Sequence, residues 1–472
     1  MMKFDLDENT KRERLIGRIL VCALAIAGIL SIYFWYDVSP GVILEARVPG
    51  IDGESLSASG QTVQKEIVGK LTRSSGSPAD LTGAWPCFRG PDLDNICKEE
   101  FKPWPKGSKA ATAWAIDVGE GFAGAVILDG RVYLMDYDRE QEEDALRCLS
   151  LADGEEIWRY SYPMSIKRNH GMSRTVPSVT KDWLIGIGPK CHVTCLDSES
   201  GEKKWMIDMV RDFGAEVPPW YAGQCPLIDG NRLILAPGGT ALITAVDCET
   251  GEIIWETPNP NDWKMTHSSV MPMEFNGVRM YVYCASGGVV GASAEDGRIL
   301  WEYPDWKISI ANVPSPLTVG DGKIFLSGGY KAGSAMLQLK KVEDRIEPQL
   351  LFRLEPERFG ATQHTPILFN DCIFGVRPDG QFVCLDLDGN EKWASGGAYK
   401  FGLGSFILAG SLFYVLNDSG LLSRVEADAG QFRLVDQMQI LEGHDSWGPI
   451  ACASGRMILR DMTRMICLEE AQ

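Results

Sequence analysis

At 472 residues the chain is too long for a compact two-layer domain, so it holds either several domains or one large closed one. Its 64 acidic and 46 basic side chains give a net charge of −18, which argues against nucleic acid and against an anionic membrane surface as partner. Thirteen cysteines, an odd number with no Cys-x-x-Cys pair, argue against zinc and predict packed thiols rather than a disulfide scaffold.

Residues 1–18 are a charged tail carrying Lys11, Arg12, Arg14 and Arg18. No charged residue follows from 19 to 36, and such a run as helix spans about 27 Å, close to the hydrocarbon thickness of a bilayer. Tyr33-Phe34-Trp35-Tyr36 closes the run as an interfacial aromatic belt would. The basic residues precede the span and the next one is Arg47, so the expected topology is single-pass with a cytoplasmic N-terminus. A cleaved signal peptide would need small residues where these bulky aromatics stand, so residues 19–36 read as an uncleaved anchor in the membrane. Residues 37–83, rich in Gly, Ser, Asp and Pro, read as a juxtamembrane spacer with at most one short helix around residues 63–71. The folded body, residues 84–472, opens with Trp85-Pro-Cys-Phe-Arg-Gly-Pro91 and is expected outside the cytoplasm, in the periplasm if the source has two membranes.

The body repeats. A turn ending in glycine is followed four residues later by tryptophan at Trp158, Trp205, Trp255, Trp301 and Trp393, with strand-like residues on both sides. The spacings are 47, 50, 46 and 92 residues, the last being a double step. A period of that length, with several strands and one tryptophan, predicts a β-propeller blade. Eight apolar first strands can be placed, most opening on proline, as at Pro177, Pro226, Pro316, Pro366 and Pro449. Most are followed by an Asp-Gly or Asn-Gly hairpin turn. Blades five and seven lack the tryptophan, and Phe352 and Leu434 are expected in its place. The eighth blade runs out of chain one strand short, while the strand around Trp114 is unclaimed. The expected fold is therefore all-β: an eight-bladed β-propeller of four-stranded blades, closed by an N-terminal strand and preceded by one transmembrane helix. The tryptophans at 114, 158, 205, 255, 301 and 393 are expected to pack between blades with their indole N–H groups hydrogen-bonded.

The Leu-Asp-x-x-x-Gly-x-x-x-Trp run, clearest from Leu196-Asp197 to Trp205, and the proline-led first strand resemble the repeats named after pyrroloquinoline quinone (PQQ). The match covers about residues 85–470, and Trp85–Pro91 resembles the start of bacterial chains of this group. The resemblance implies an eight-bladed propeller, either a quinoprotein dehydrogenase or a non-catalytic member such as the scaffold lipoprotein of outer-membrane protein assembly. The enzymatic branch implies a disulfide between adjacent cysteines beside the quinone, and Glu, Asn and Asp around calcium with Asp as base. This sequence has no Cys-Cys pair and no positions matching those ligands. No cofactor and no metal is expected, and a PQQ- and calcium-dependent alcohol or sugar dehydrogenase is the alternative to a binding module.

In a propeller the loops ahead of the first strands face the channel mouth. Four of the five histidines, His170, His267, His364 and His444, fall in such loops. With them lie Arg168, Asn169, Arg174, Trp220, Tyr221, Gln224, Trp263, Lys264, Lys400, Asp445 and Trp447, a polar and aromatic set of the kind a ligand or protein pocket needs. Each histidine alone is equally readable as a hydrogen-bonded link to a neighbouring blade. Four histidines around a mouth are too far apart to share a metal. No nucleophile is paired with a base, which argues against a hydrolase or lyase. His192, within a strand, reads as structural.

Overall fold

The structure, a computed structural model, describes residues 5–38 and 67–471, in two separate units. The first unit contains one helix, Asp5–Val38, within which Leu15–Tyr33 is long and apolar enough to cross a membrane.

The second unit is a propeller of eight antiparallel blades. Blade one is Val126–Leu128, Arg131–Asp138, Glu143–Ser150 and Glu156–Pro163, and six more blades follow in simple sequence order to Leu434–Gln439. Blade eight takes three strands from the C-terminus, Ala451–Ala453, Arg456–Arg460 and Arg464–Glu469. Its outer strand is Ala111–Asp117, which pairs Trp114 with Cys467. The ring is closed by its own far end, as the unclaimed strand required, and no blade is left with an open flank.

The repeat motif is the contact between blades. Gly201, with φ +76°, ends the turn of blade two and lies under the indole of Trp158 from blade one, where a Cβ would come within 2.6 Å of the ring. Only glycine allows both the backbone angle and the approach. The same seat recurs for Trp114 on Gly154, Trp205 on Gly251, Trp255 on Gly297 and Phe352 on Gly389. The indole N–H then donates to a carbonyl of the next blade, from Trp114 to Leu151, Trp158 to Glu199, Trp205 to Cys248 and Trp393 to Asp428, at 2.8–3.0 Å.

Four expectations need correction. Trp255 Nε1 is buried without a hydrogen-bond partner. Trp301 packs between blades four and five, but its N–H donates to Met280 Sδ of its own blade (3.3 Å) and not to a carbonyl of the next, whose outer hairpin (Gly333–Val342, Arg345–Leu354) carries no glycine at its turn. In blade seven the tryptophan position belongs to Asp436, opposite Arg424, and not to Leu434. The stretch expected as a short helix instead contains a strand, Lys70–Arg73, hydrogen-bonded along the outer edge of blade one, where Leu71 packs beside Trp158; residues 63–66 lie outside the described residues. All thirteen cysteines are free thiols, and Cys148, Cys195, Cys384 and Cys467 are fully buried opposite tryptophans.

Candidate functional site

Inner strands are sheet edges, so their buried N–H groups need partners from outside the ladder. Here the next blade supplies them through small side chains. Val176 N–H donates to Cys225 Sγ (3.3 Å), Cys225 N–H to Ser269 Oγ (2.9 Å), Ser269 N–H to Ser315 Oγ (3.1 Å) and Ser315 N–H to Thr365 Oγ1 (2.9 Å). Blades two to six are thereby linked around the axis.

One end of the axis is crossed by residues 84–97. Ala84–Trp85 adds to the inner strand of blade one, Pro86 O accepts from Val179 N–H of blade two, and Ile96–Cys97 pairs parallel with blade seven. Between them Arg89, 2 % exposed, donates to Thr365 O (2.9 Å) and Pro366 O (3.1 Å) of blade six. Burial lowers the Arg89 guanidinium to about 10, still charged at neutral pH. The motif that opens the body is therefore a strap across the channel.

Above the strap lies a cavity of about 110 Å³, bounded by Phe88 of the strap and by residues from seven of the eight blades. The wall residues come in alternating pairs, Arg174 and Val176, Gly223 and Cys225, His267 and Ser269, Gln363 and Thr365, as an extended backbone presents every second side chain to one face. Phe122 of blade one stacks on Trp447 of blade eight (5.1 Å between centroids, 26°) across the closing junction.

Of the residues singled out in the sequence, Arg174, His267 and Trp447 line this cavity. The Arg174 guanidinium lies 5.0 Å over the Phe122 ring, and Nε donates to Trp220 O. Its Nη2 donates to Asn169 O and His170 O, both at 2.8 Å. Burial lowers it to about 10. His267 is lowered to about 4 by burial and then by Arg174, against backbone hydrogen bonding at Pro219 and Tyr221. Trp220 leans on it with centroids 6.4 Å apart. Trp447 Nε1 donates to Asp418 Oδ1 at 2.8 Å.

The other expected residues do not line the cavity. Arg168 pairs with Glu120 at 2.6 Å, and exposed His170 has φ +51°. Tyr221 is buried and its hydroxyl donates to Lys167 O, while the Gln224 amide is bound on both sides by the backbone of Ala236. Trp263 packs over Gly287 of its own blade, and Lys264 sits between Asp262 (2.7 Å) and Glu216 (2.8 Å). His364 bonds within its own blade, Nε2 accepting from Val376 N–H (3.0 Å), while its ring meets Phe406 of blade seven edge-on, and burial lowers it to about 3. Lys400 donates to Asp379 O, and exposed His444 pairs with Asp445 at 3.1 Å. His192, buried, faces Asp208 at 3.6 Å.

Residue-type reasoning missed Phe88, Phe122, Cys225 and Gln363. For Phe122, Cys225 and Gln363 the signal available was the alternation just upstream of each first strand.

Calcium takes about 6–8 oxygen ligands, carboxylates prominent among them. No lining residue is Asp or Glu, and among the described residues no cluster of three His, Cys, Asp or Glu side chains could hold a metal. The donor set does not fit a calcium-bound quinone.

A family model described as outer membrane protein assembly factor BamB matches residues 141–395, more than half of the chain. No curated protein matches the sequence. Among solved structures, BamB from Moraxella catarrhalis aligns with TM-score 0.53 at 12 % identity, over 76 % of this chain and 100 % of that one. A europium-containing methanol dehydrogenase aligns with TM-score 0.56 at 10 % identity, over 81 % and 89 %. At such identities both likenesses concern the fold.

Proposed function

Because the chain belongs to the PQQ-repeat propeller family described as outer membrane protein assembly factor BamB, we propose that it is a membrane-tethered binding module. Its propeller works outside the cytoplasm, takes a ligand, polymer or protein at the channel mouth, and performs no redox chemistry. The anchor is residues 19–36, the N-terminus is cytoplasmic, and residues 37–83 are the tether.

One observation carries the reading: the axial cavity is aromatic with a single cation, Arg174, and without carboxylates. Three of that cation's N–H directions are already committed to loop carbonyls, so it braces the mouth as well as charging it. No carboxylate lines the cavity to act as base toward an alcohol, and His267, lowered to about 4 by burial, is a weak base far from the near-neutral value such proton abstraction favours.

The test is reconstitution. Purified full-length protein loaded with PQQ and calcium, or with a lanthanide, is expected to show no dye-linked oxidation of alcohols or sugars. Such oxidation, abolished on removing the metal, would overturn the reading. Membrane fractionation with N-terminal sequencing tests the anchor: a mature chain beginning beyond residue 36 would replace it with a leader.

A further inference from the structure

Three polar groups on the cavity wall have no hydrogen-bond partner within the described protein. Arg174 Nη1 forms none, although Nε and Nη2 are fully engaged. The Gln363 amide forms none. His267 Nε2 is buried and unpartnered. The backbone of Pro219 and Tyr221 bonds this imidazole, and since Nε2 is free the bonded nitrogen is Nδ1–H. That tautomer leaves Nε2 as a lone pair, an acceptor waiting for a donor.

An unpaired buried acceptor and an unpaired guanidinium edge are costly to leave unsatisfied in a dry wall, and each states what it would pair with. The guanidinium and the amide N–H ask for an anion, best a carboxylate. The imidazole lone pair rejects a carboxylate oxygen and asks for a hydroxyl. An ammonium in its place would need a counter-charge, and no carboxylate lines the cavity. The rest of the wall, Phe88, Phe122, Val176, Val313, Trp447 and Pro449, asks for an apolar body.

We propose that the axial cavity binds a small 2-hydroxycarboxylate with an apolar side chain, its carboxylate on Arg174 Nη1 and the Gln363 amide and its hydroxyl donating to His267 Nε2. This deepens the binding-module reading and rests on it.

The probe is 2-hydroxyisovalerate, titrated calorimetrically into the full-length protein beside isovalerate, which lacks the hydroxyl, and 2-hydroxyisovaleramide, which lacks the charge. The hydroxy acid is expected to bind, and loss of either group to weaken binding by about tenfold or more, the value of one charge-assisted or buried hydrogen bond. Gln363→Leu removes no internal bond, so it should weaken the hydroxy acid several-fold at an unchanged melting temperature. Arg174→Lys keeps the charge but loses the fork and should weaken it further. Equal binding of all three compounds, indifference to Gln363→Leu, or no binding of the hydroxy acid at about 10 mM would overturn the assignment. The same preparation is assayed for dye-linked oxidation after loading with quinone and metal. Activity there overturns the non-catalytic reading itself, whereas silence there without hydroxy-acid binding overturns the ligand class alone.

Discussion

The junction between blades one and two and the junction between blades seven and eight fill the same kind of gap with different chemistry. In the first, Trp158 lies on Gly201, its N–H on Glu199 O, all within a short stretch of chain. In the second there is no indole from the repeat. Buried Arg424 pairs with Asp436 (2.7 Å, Nε to Oδ1), donates to Trp104 O and lies over the Trp104 ring at 5.9 Å. Trp104, Phe101 and Tyr414 meet edge to face, and Trp104 Nε1 donates to Glu469 O. A regular junction uses a wedge encoded in each repeat; the junction between blades seven and eight is built with a segment more than 300 residues away.

The comparison can be broken at either side. Trp158→Ala empties a fully buried slot and should cost about 3–5 kcal/mol in denaturant unfolding. A loss under about 1 kcal/mol would mean the indole is not a wedge. Asp436→Ala leaves the Arg424 guanidinium, 1 % exposed, without its carboxylate, and should cost about 3 kcal/mol. If Arg424→Met with Asp436→Leu restores stability, the junction needs volume and not charge; if it does not, the hydrogen bonds to Trp104 O and Pro105 O are what hold this junction.

What was legible in the chain follows the same division. The glycine that seats one blade's ring stands four residues before the next tryptophan, so five such pairs declared both the blade and its period. Phe352 was legible because its seat, Gly389, kept the motif. Asp436 was not, since a register shift between Arg424 and Val425 moves the opposed residue two places from Leu434. In the cavity, Arg174, His267 and Trp447 were found by chemical type and position. His364 sits in an equivalent loop but alternation turns it away from the axis, between Gln363 and Thr365, which face inward. Phe88 was hidden because nothing local says that residues 84–97 cross the channel.

The smallest effect separates the two histidines by acid titration. His364 is held near 3 and His267 near 4, both below the ordinary value of about 6.5. Each is neutral when folded and protonates more readily when unfolded, so its contribution is present above about pH 6.5 and lost as pH falls toward 3–4. His364→Asn should flatten the stability profile between pH 6.5 and 4 with little change in ligand binding. His267→Asn should flatten it and also weaken the hydroxy acid. A profile unchanged by either substitution would mean that neither ring is buried neutral.

Closure joins the two kinds of junction, because it brings Trp447 onto Phe122 and so completes the cavity wall. Amide hydrogen exchange across Ala111–Asp117 and Arg464–Glu469 tests it most directly. The two segments should be equally protected and lose protection in one unfolding event. Rapid exchange of Ala111–Asp117 while Arg464–Glu469 stays protected would show an open ring, and with it neither the cavity nor its ligand would stand.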